Sequence, residues 1–415
     1  MSTVTDTDPF ARDERSPGEP SSAAFPGYGS SPSPGGDGRG PRRGPIALAS
    51  AALAALLVAG GVGGAVGYEV ASSASGGHEA PGASPASPAA DIAAPTGSVE
   101  AVAQRVLPSV VTLKGPSGSG SGVVVSADGL ILTNAHVLDA GQPAQPDSGL
   151  GGLLLPPPSG TSTLTAVFQD ARSAPVQVVG TDATADLAVV RAQHVAGLTP
   201  VALGDSSRLR VGQEVVAVGS PLGLSGTVTT GIVSALQRPV ASGGPQSGQA
   251  TVTDAIQTDA AINPGNSGGA LVDTQARLIG VTSSIASLGS GSGGQPGSIG
   301  LGFAIPVNQA ARIGQELIHN GVATQAVLGV GVTDASPTGA TIGPLTPGGP
   351  AAAAGIHPGD VVTRVNDRVI DNANSLVAAI RSQAPGAPLT LTVVSPGAPP
   401  RPVPLTLEVE RAPAR

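Results

Sequence analysis

Asn263-Pro264-Gly265-Asn266-Ser267-Gly268-Gly269-Ala270-Leu271-Val272 sets one serine among glycines and runs straight into an apolar stretch. A tight turn here aims the N–H groups of Gly265 and Ser267 at one point beside the Ser267 hydroxyl. Such a point suits a carbonyl oxygen that is turning negative, and one donor there is worth about 3–4 kcal/mol. Gly268 and Gly269 leave room for a substrate backbone. A serine hydroxyl does not ionise at neutral pH, so the turn needs a base from elsewhere in the chain.

Two upstream segments supply candidates. Thr133-Asn134-Ala135-His136-Val137 follows the apolar run Leu130-Ile131-Leu132, and Ala185-Asp186 opens the run Leu187-Ala188-Val189-Val190. An imidazole near its ordinary pKa takes the hydroxyl proton during attack. A carboxylate on its other nitrogen holds the tautomer and stabilises the imidazolium. Each residue alone has an ordinary reading. His136 would be a histidine at a strand end, Asp186 a turn cap with Asp182 as its nearest rival, and Ser267 one more serine in a Gly/Ser-rich chain. His78, His194, His319 and His357 lie in no comparable setting. The order His, Asp, Ser is that of chymotrypsin rather than of subtilisin or the α/β-hydrolases.

Between 110 and about 307 the chain alternates short Val/Ile/Leu/Thr runs with glycine turns. Many short strands with little helix predict antiparallel barrels or a sandwich. Two loops are long, 142–163 and 286–298, and long glycine-rich loops often lie beside a site. Ser98 is placed to N-cap a short helix through Arg105, ended by Pro108. Residues 307–320 read as a helix with Gly321 as its stop. A second β-rich unit occupies 325–411.

The three blocks resemble those of the HtrA/DegP family of trypsin-like proteases. The runs 219–236 and 299–307 resemble the same family's segments, and the likeness covers about 100–411. It implies a mainly β fold: a chymotrypsin-like double β-barrel at 98–322 followed by a PDZ domain at 325–411. It also implies an S1 pocket with Ala261 at its base, six residues before the nucleophile, followed by Ile262. Alanine cannot neutralise a cation, so small aliphatic P1 residues such as Val, Ala or Leu are expected, with loose discrimination. Asp259, two residues earlier, is given no specificity role. In the last unit, Val327-Leu328-Gly329-Val330 resembles a PDZ carboxylate-binding turn, and 350–370 resembles the central PDZ segment. The groove residues so implied are Leu328, Gly329 and Val330, with Leu376 and Ile380 four apart on a helix.

The ends and the bulk numbers complete the reading. Residues 1–45 are Pro/Gly/Ser-rich and charged, which predicts a disordered cytoplasmic segment. Residues 46–67 carry no charge and are long enough for one transmembrane helix. Arg39, Arg42 and Arg43 before it predict a cytoplasmic N-terminus and a single-pass protein of the cell membrane, with both domains outside. A cleaved signal peptide is the other reading. Residues 68–97 read as a flexible linker. Of 415 residues, 20 are Lys or Arg and 28 Asp or Glu, a net charge of −8, so nucleic acid is not an expected partner. With no cysteine there are no disulfides and no thiolate chemistry, and no motif asks for a metal or other cofactor.

The expected function is a membrane-anchored serine endopeptidase acting on unfolded or misfolded extracytoplasmic protein, with C-terminal peptides as PDZ ligands. The alternative is a catalytically silent, tethered peptide-binding or holdase protein. Family members assemble as trimers through aromatic contacts near the start of the catalytic domain. This chain has only Phe168 and Phe303 in its folded part, so a homotrimer stays open.

Overall fold

The computed structural model describes residues 95, 97–141, 164–220, 226–242, 251–283, 298 and 300–411. The predicted segments 1–45 and 46–67, nearly all of the linker 68–97, and most of the two long loops lie outside them. Among the described residues no helix is long and apolar enough to cross a membrane.

The chain enters on helix α1 (Val99–Val106), whose N-cap Ser98 accepts a hydrogen bond from Ala101 N–H, and Pro108 follows in a 3₁₀ turn. Six strands then close a barrel. They are β1 (Val110–Gly115), β2 (Gly118–Val124), β3 (Leu130–Thr133), β4 (Thr165–Val167), β5 (Ser173–Asp182) and β6 (Leu187–Ala192). Their order around the ring is β1-β2-β3-β6-β5-β4.

The second half contributes β7 (Ala202–Leu203), β8 (Glu214–Gly219), β9 (Thr227–Ser242), β10 (Thr251–Thr258), β11 (Ala270–Asp273), β12 (Arg277–Ser283) and β13 (Gly302–Pro306). They run β11-β8-β9-β10-β13-β12, and β11 also pairs with β12, closing a second ring; β7 adds to β12 in parallel. The expected pair of barrels is thus present.

Several strands are apolar on both faces instead of alternating, and the packing explains why. In β8, Val215 and Ala217 fill the second barrel while Val216 and Val218 face a separate cluster with Val102, Val106, Val110 and Val123. In β6, Leu187 and Val189 pack on Val281, Ile305 and Ile313, while Val190 and Ala192 fill the first barrel. Strands covered on both sides read as unbroken hydrophobic runs. Two apolar layers therefore join the barrels, each fully buried Val, Leu or Ile stabilising by about 1.5–3 kcal/mol.

Helix α2 (Val307–Asn320) closes this part. Its buried residues Val307, Ala310, Ile313, Gly314 and Leu317 form one stripe, and Gly321 caps it at φ +73° with its N–H on Leu317 O.

The last unit begins with β14 (Thr324–Val327) and holds β15 (Val330–Asp334), β16 (Ala340–Leu345), the single turn α3 (Pro350–Ala353), β17 (Val361–Val365), β18 (Arg368–Val369), α4 (Ala373–Arg381), β19 (Pro388–Val394), β20 (Arg401–Thr406) and β21 (Glu408–Arg411). Strands β15-β16-β17-β19-β20 form one sheet, and β14 pairs with β21. Asn372 caps α4 through Ser375 N–H. This unit packs on the second barrel where α4 meets β9 and β10.

Candidate active site

Register brings the histidine and the aspartate together. Thr133 of β3 lies opposite Ala188 of β6 in an antiparallel pair. Continuing one strand past its end and tracing the other back before its start places Asn134–His136 beside Asp186. The Asn134 side-chain amide donates to Asp186 O at 2.9 Å, and His136 N–H donates to Asp186 Oδ1 at 3.1 Å. His136 Nδ1 lies 2.9 Å from Asp186 Oδ2 and 3.0 Å from Oδ1. A carboxylate only accepts, so Nδ1 carries the proton and Nε2 of the neutral ring is left as a base. Asp186 itself is at φ +53°, a left-handed conformation that aspartate tolerates better than most residues. The pair is partly shielded, with 27% of the histidine side chain and 9% of the aspartate side chain exposed.

Asp182, the rival, does a different job. Its Oδ1 accepts from the N–H groups of Thr184 and Ala185 and from Gln325 Nε2, so it caps the turn that presents Asp186. Burial raises its pKa, an effect that these hydrogen bonds and the Arg312 charge only partly offset.

The serine turn belongs to the second barrel and is held against the first. Asn266 N–H closes on Asn263 O at 2.9 Å, with Pro264 second and Gly265 third at φ +96°, the arrangement of a type II turn. Ser267 is 3% exposed. Gly268, at φ +82°, sits so close to β2 and β3 that a Cβ there would lie 2.2 Å from Ser121 O and 2.3 Å from Thr133 Oγ1. Thr133 is three residues before His136, so this contact sets the serine beside the histidine segment. Strand β12 touches both partners. Thr282 O accepts from Gly268 N–H at 2.8 Å, and Ser283 Oγ donates to Asp186 Oδ2 at 3.4 Å.

Sequence reasoning missed Ser121. It is fully buried and makes four contacts under the turn. Its N–H donates to Ser267 O, its Oγ donates to Gly265 O and accepts from Ser220 N–H, and its carbonyl accepts from Thr133 Oγ1. The signal was present in a serine set between Gly120 and Gly122 where the strand passes into the buried pair Val123-Val124.

The two S1 candidates separate. Ala261 is half-buried and its carbonyl accepts from Thr229 Oγ1 at 3.0 Å. Ile262 faces the other way, into the core of the second barrel with Ile256 and Leu271. Asp259 is consumed locally, its Oδ1 accepting from Ile232 N–H at 2.7 Å.

In the last unit, Leu328, Gly329, Val330, Leu376 and Ile380 all line one cavity of about 610 Å³ between β15 and α4. Leu328, Leu376 and Ile380 are also nearly buried in that unit's core, so they form the cavity's floor. Gly329 is at φ +71°. The remaining histidines make local contacts: His319 Nδ1 lies 2.7 Å from Gln315 O, and His357 N–H donates to Asp360. His194 is exposed and His78 lies outside the described residues. Among the described residues no cluster is suited to a metal ion.

Comparison with known proteins agrees with this layout. Residues 120–281 match the family model described as a trypsin-like peptidase domain, and 326–398 match that of a PDZ domain. Serine protease PepD of Mycobacterium tuberculosis is 55% identical over 339 residues, covering 80% of this chain and 70% of that protein. The periplasmic pH-dependent serine endoprotease DegQ of Escherichia coli is 35% identical over 294 residues, covering 68% of this chain and 58% of that protein. The chain thus spans little more than half of DegQ. A solved structure of the HtrA-type protease AlgW with a tripeptide is 32% identical, with a TM-score of 0.54, covering 76% of this chain and 98% of that one.

Proposed function

Because the chain belongs to the trypsin-like serine proteases of the HtrA type, with a C-terminal PDZ domain, we propose that it is a serine endopeptidase whose nucleophile is Ser267. Ser267 Oγ attacks the scissile carbonyl while His136 Nε2 takes its proton. Asp186 fixes the ring and stabilises the imidazolium. The amides of Gly265 and Ser267 receive the developing oxyanion. His136 then protonates the leaving amine, an acyl-Ser267 ester remains, and water activated by the same histidine hydrolyses it. The observation that carries this reading is the His136–Asp186 contact at 2.9 Å beside a glycine turn wedged onto Thr133.

The substrate reading is unfolded or misfolded protein cut after small aliphatic residues. Ala261 brings no charge to the pocket, and its carbonyl is already engaged by Thr229. The PDZ unit is proposed to take C-terminal peptides as an added strand along β15. Anchoring through 46–67 would keep both domains on the outer face of the membrane, as the uncharged run and the preceding arginines suggest.

Casein digestion by the wild type and by Ser267→Ala tests the central claim. Cleavage by the wild type alone is expected. Equal substrate loss with both proteins ends the protease reading and leaves an anchored binding protein.

A further inference from the structure

The turn that presents Asp186 is held from beyond its own barrel. Asp182, at the start of that turn, is fully buried. Its Oδ1 takes three donors: the N–H groups of Thr184 and Ala185 at 2.9 and 3.1 Å, and Gln325 Nε2 at 3.0 Å. Its Oδ2 is buried with no hydrogen-bond partner among the described residues. One oxygen therefore carries the anchorage of the turn. Two of its donors belong to the turn and move with it. The third, Gln325, lies on β14, 143 positions away along the chain, and ties the carboxylate to the last unit.

Gln325 is itself built to stay in place. Just before it, Glu316 Oε2 accepts from Thr324 N–H at 2.6 Å and from Thr324 Oγ1 at 2.7 Å. Arg312 Nη1 joins Glu316 Oε1 at 2.8 Å to Thr324 O at 3.3 Å. On its other side β14 is paired with β21, Gln325 opposite Glu410. The next residue, Ala326, is buried in the last unit's core, so strand alternation turns Gln325 the opposite way, onto the first barrel. There β5 comes so close to the junction that a Cβ on Gly180 would lie 2.6 Å from Gly321 O.

We infer that Gln325 is a positioning residue for the proposed reaction: reaching over from the PDZ unit, it keeps the Asp182 carboxylate turned onto the N–H groups of Thr184 and Ala185, and so keeps Asp186 where His136 needs it. This rests on the reading of Asp186 as the partner of the catalytic histidine. Without the amide, a buried carboxylate that already has one oxygen unpartnered loses a donor from the other. An unsatisfied buried charge is costly, and rotation of the carboxylate toward another donor relieves it while freeing the turn. The last unit is then part of the catalytic apparatus and not an appendage to it.

The test compares the full wild-type chain with Gln325→Met, close in length but unable to donate, and Gln325→Asn, an amide one methylene too short. Hydrolysis of a chromogenic peptide gives kcat and KM, and the His136 Nδ1 proton is followed by its downfield NMR resonance, all well below the melting temperature. A misplacement of about 1 Å costs about 100-fold in rate, so about half of that costs about tenfold. The expected result for both variants is a kcat about tenfold lower with KM little changed, together with a displaced or broadened Nδ1 resonance. A merely structural glutamine would lower the melting temperature and leave kcat and the resonance where they are. That result overturns the inference, as does a rise in KM alone. If the wild-type chain hydrolyses nothing, the protease reading fails first and this inference falls with it.

Discussion

Replacing Gly268 by alanine tests whether the serine turn is positioned by direct contact with the first barrel. The added Cβ would meet Ser121 O at 2.2 Å and Thr133 Oγ1 at 2.3 Å, and the residue is held at φ +82°. Thr133 is fully buried with its hydroxyl donating to that same Ser121 carbonyl, so neither atom can easily retreat. Ser121 is paired with Thr112 across β1 and β2, and its N–H is bonded to Ser267 O. The turn must therefore move. A left-handed alanine costs about 1–2 kcal/mol, and overpacking typically adds about 1–3 kcal/mol. Relief requires a displacement on the order of 1 Å, carried directly into Ser267. A misplacement of that size costs about 100-fold in rate. The assay is kcat and KM on a chromogenic peptide, with the melting temperature followed by circular dichroism. The expected result is a kcat at least about 100-fold lower, with KM little changed and a fold still cooperative. A variant that keeps kcat within threefold and melts with the wild type would show that the wedge at Gly268 does not set the serine's position.

Two further outcomes follow from buried carboxylates. The Asp182 pKa is raised by burial, so the folded protein holds that proton more tightly than the unfolded chain does. Its contribution to stability is present in acid and is lost as pH rises from the ordinary carboxylate range through the raised value. Asp182→Asn, which keeps an acceptor for Thr184 and Ala185, should flatten the loss of melting temperature between about pH 4 and about pH 7; parallel profiles for both proteins would refute this. Arg368 Nη1 lies 2.9 Å from Asp254 Oδ2, with side-chain exposures of 12% and 9%. Removing the arginine leaves a buried charge alone, so Arg368→Ala should destabilise by about 3–5 kcal/mol, read by urea denaturation, and Asp254→Asn in the same chain should recover much of it. A change below about 0.5 kcal/mol would place the pair among inconsequential contacts.

The candidate site was legible where chemistry dictates residue type. A histidine after a buried strand, an aspartate before one and a serine among glycines are patterns that survive without coordinates, and strand register explains why the first two meet. Both helix predictions had equally local signals in Ser98 and Gly321. What escaped was set by three-dimensional packing. Ile262 neighbours Ala261 in sequence but alternates to the opposite face, a consequence of backbone geometry that proximity along the chain conceals. Ser121 looks like any small polar residue until its four contacts under the serine turn are traced. The role of Asp182 was hidden for the same reason: cap and catalytic candidate sit four residues apart with similar flanks, and only the direction of each carboxylate separates them.

The proposed base and its carboxylate ride on one barrel and the proposed nucleophile on the other, with apolar layers between them. On the proposed mechanism neither half works alone. Competence is a property of the joint, so heat or denaturant that loosens this seam by a fraction of its contacts would silence hydrolysis while both barrels still read as folded. In such an architecture enzymatic decay is a more sensitive gauge of domain docking than any spectroscopic measure of strand content.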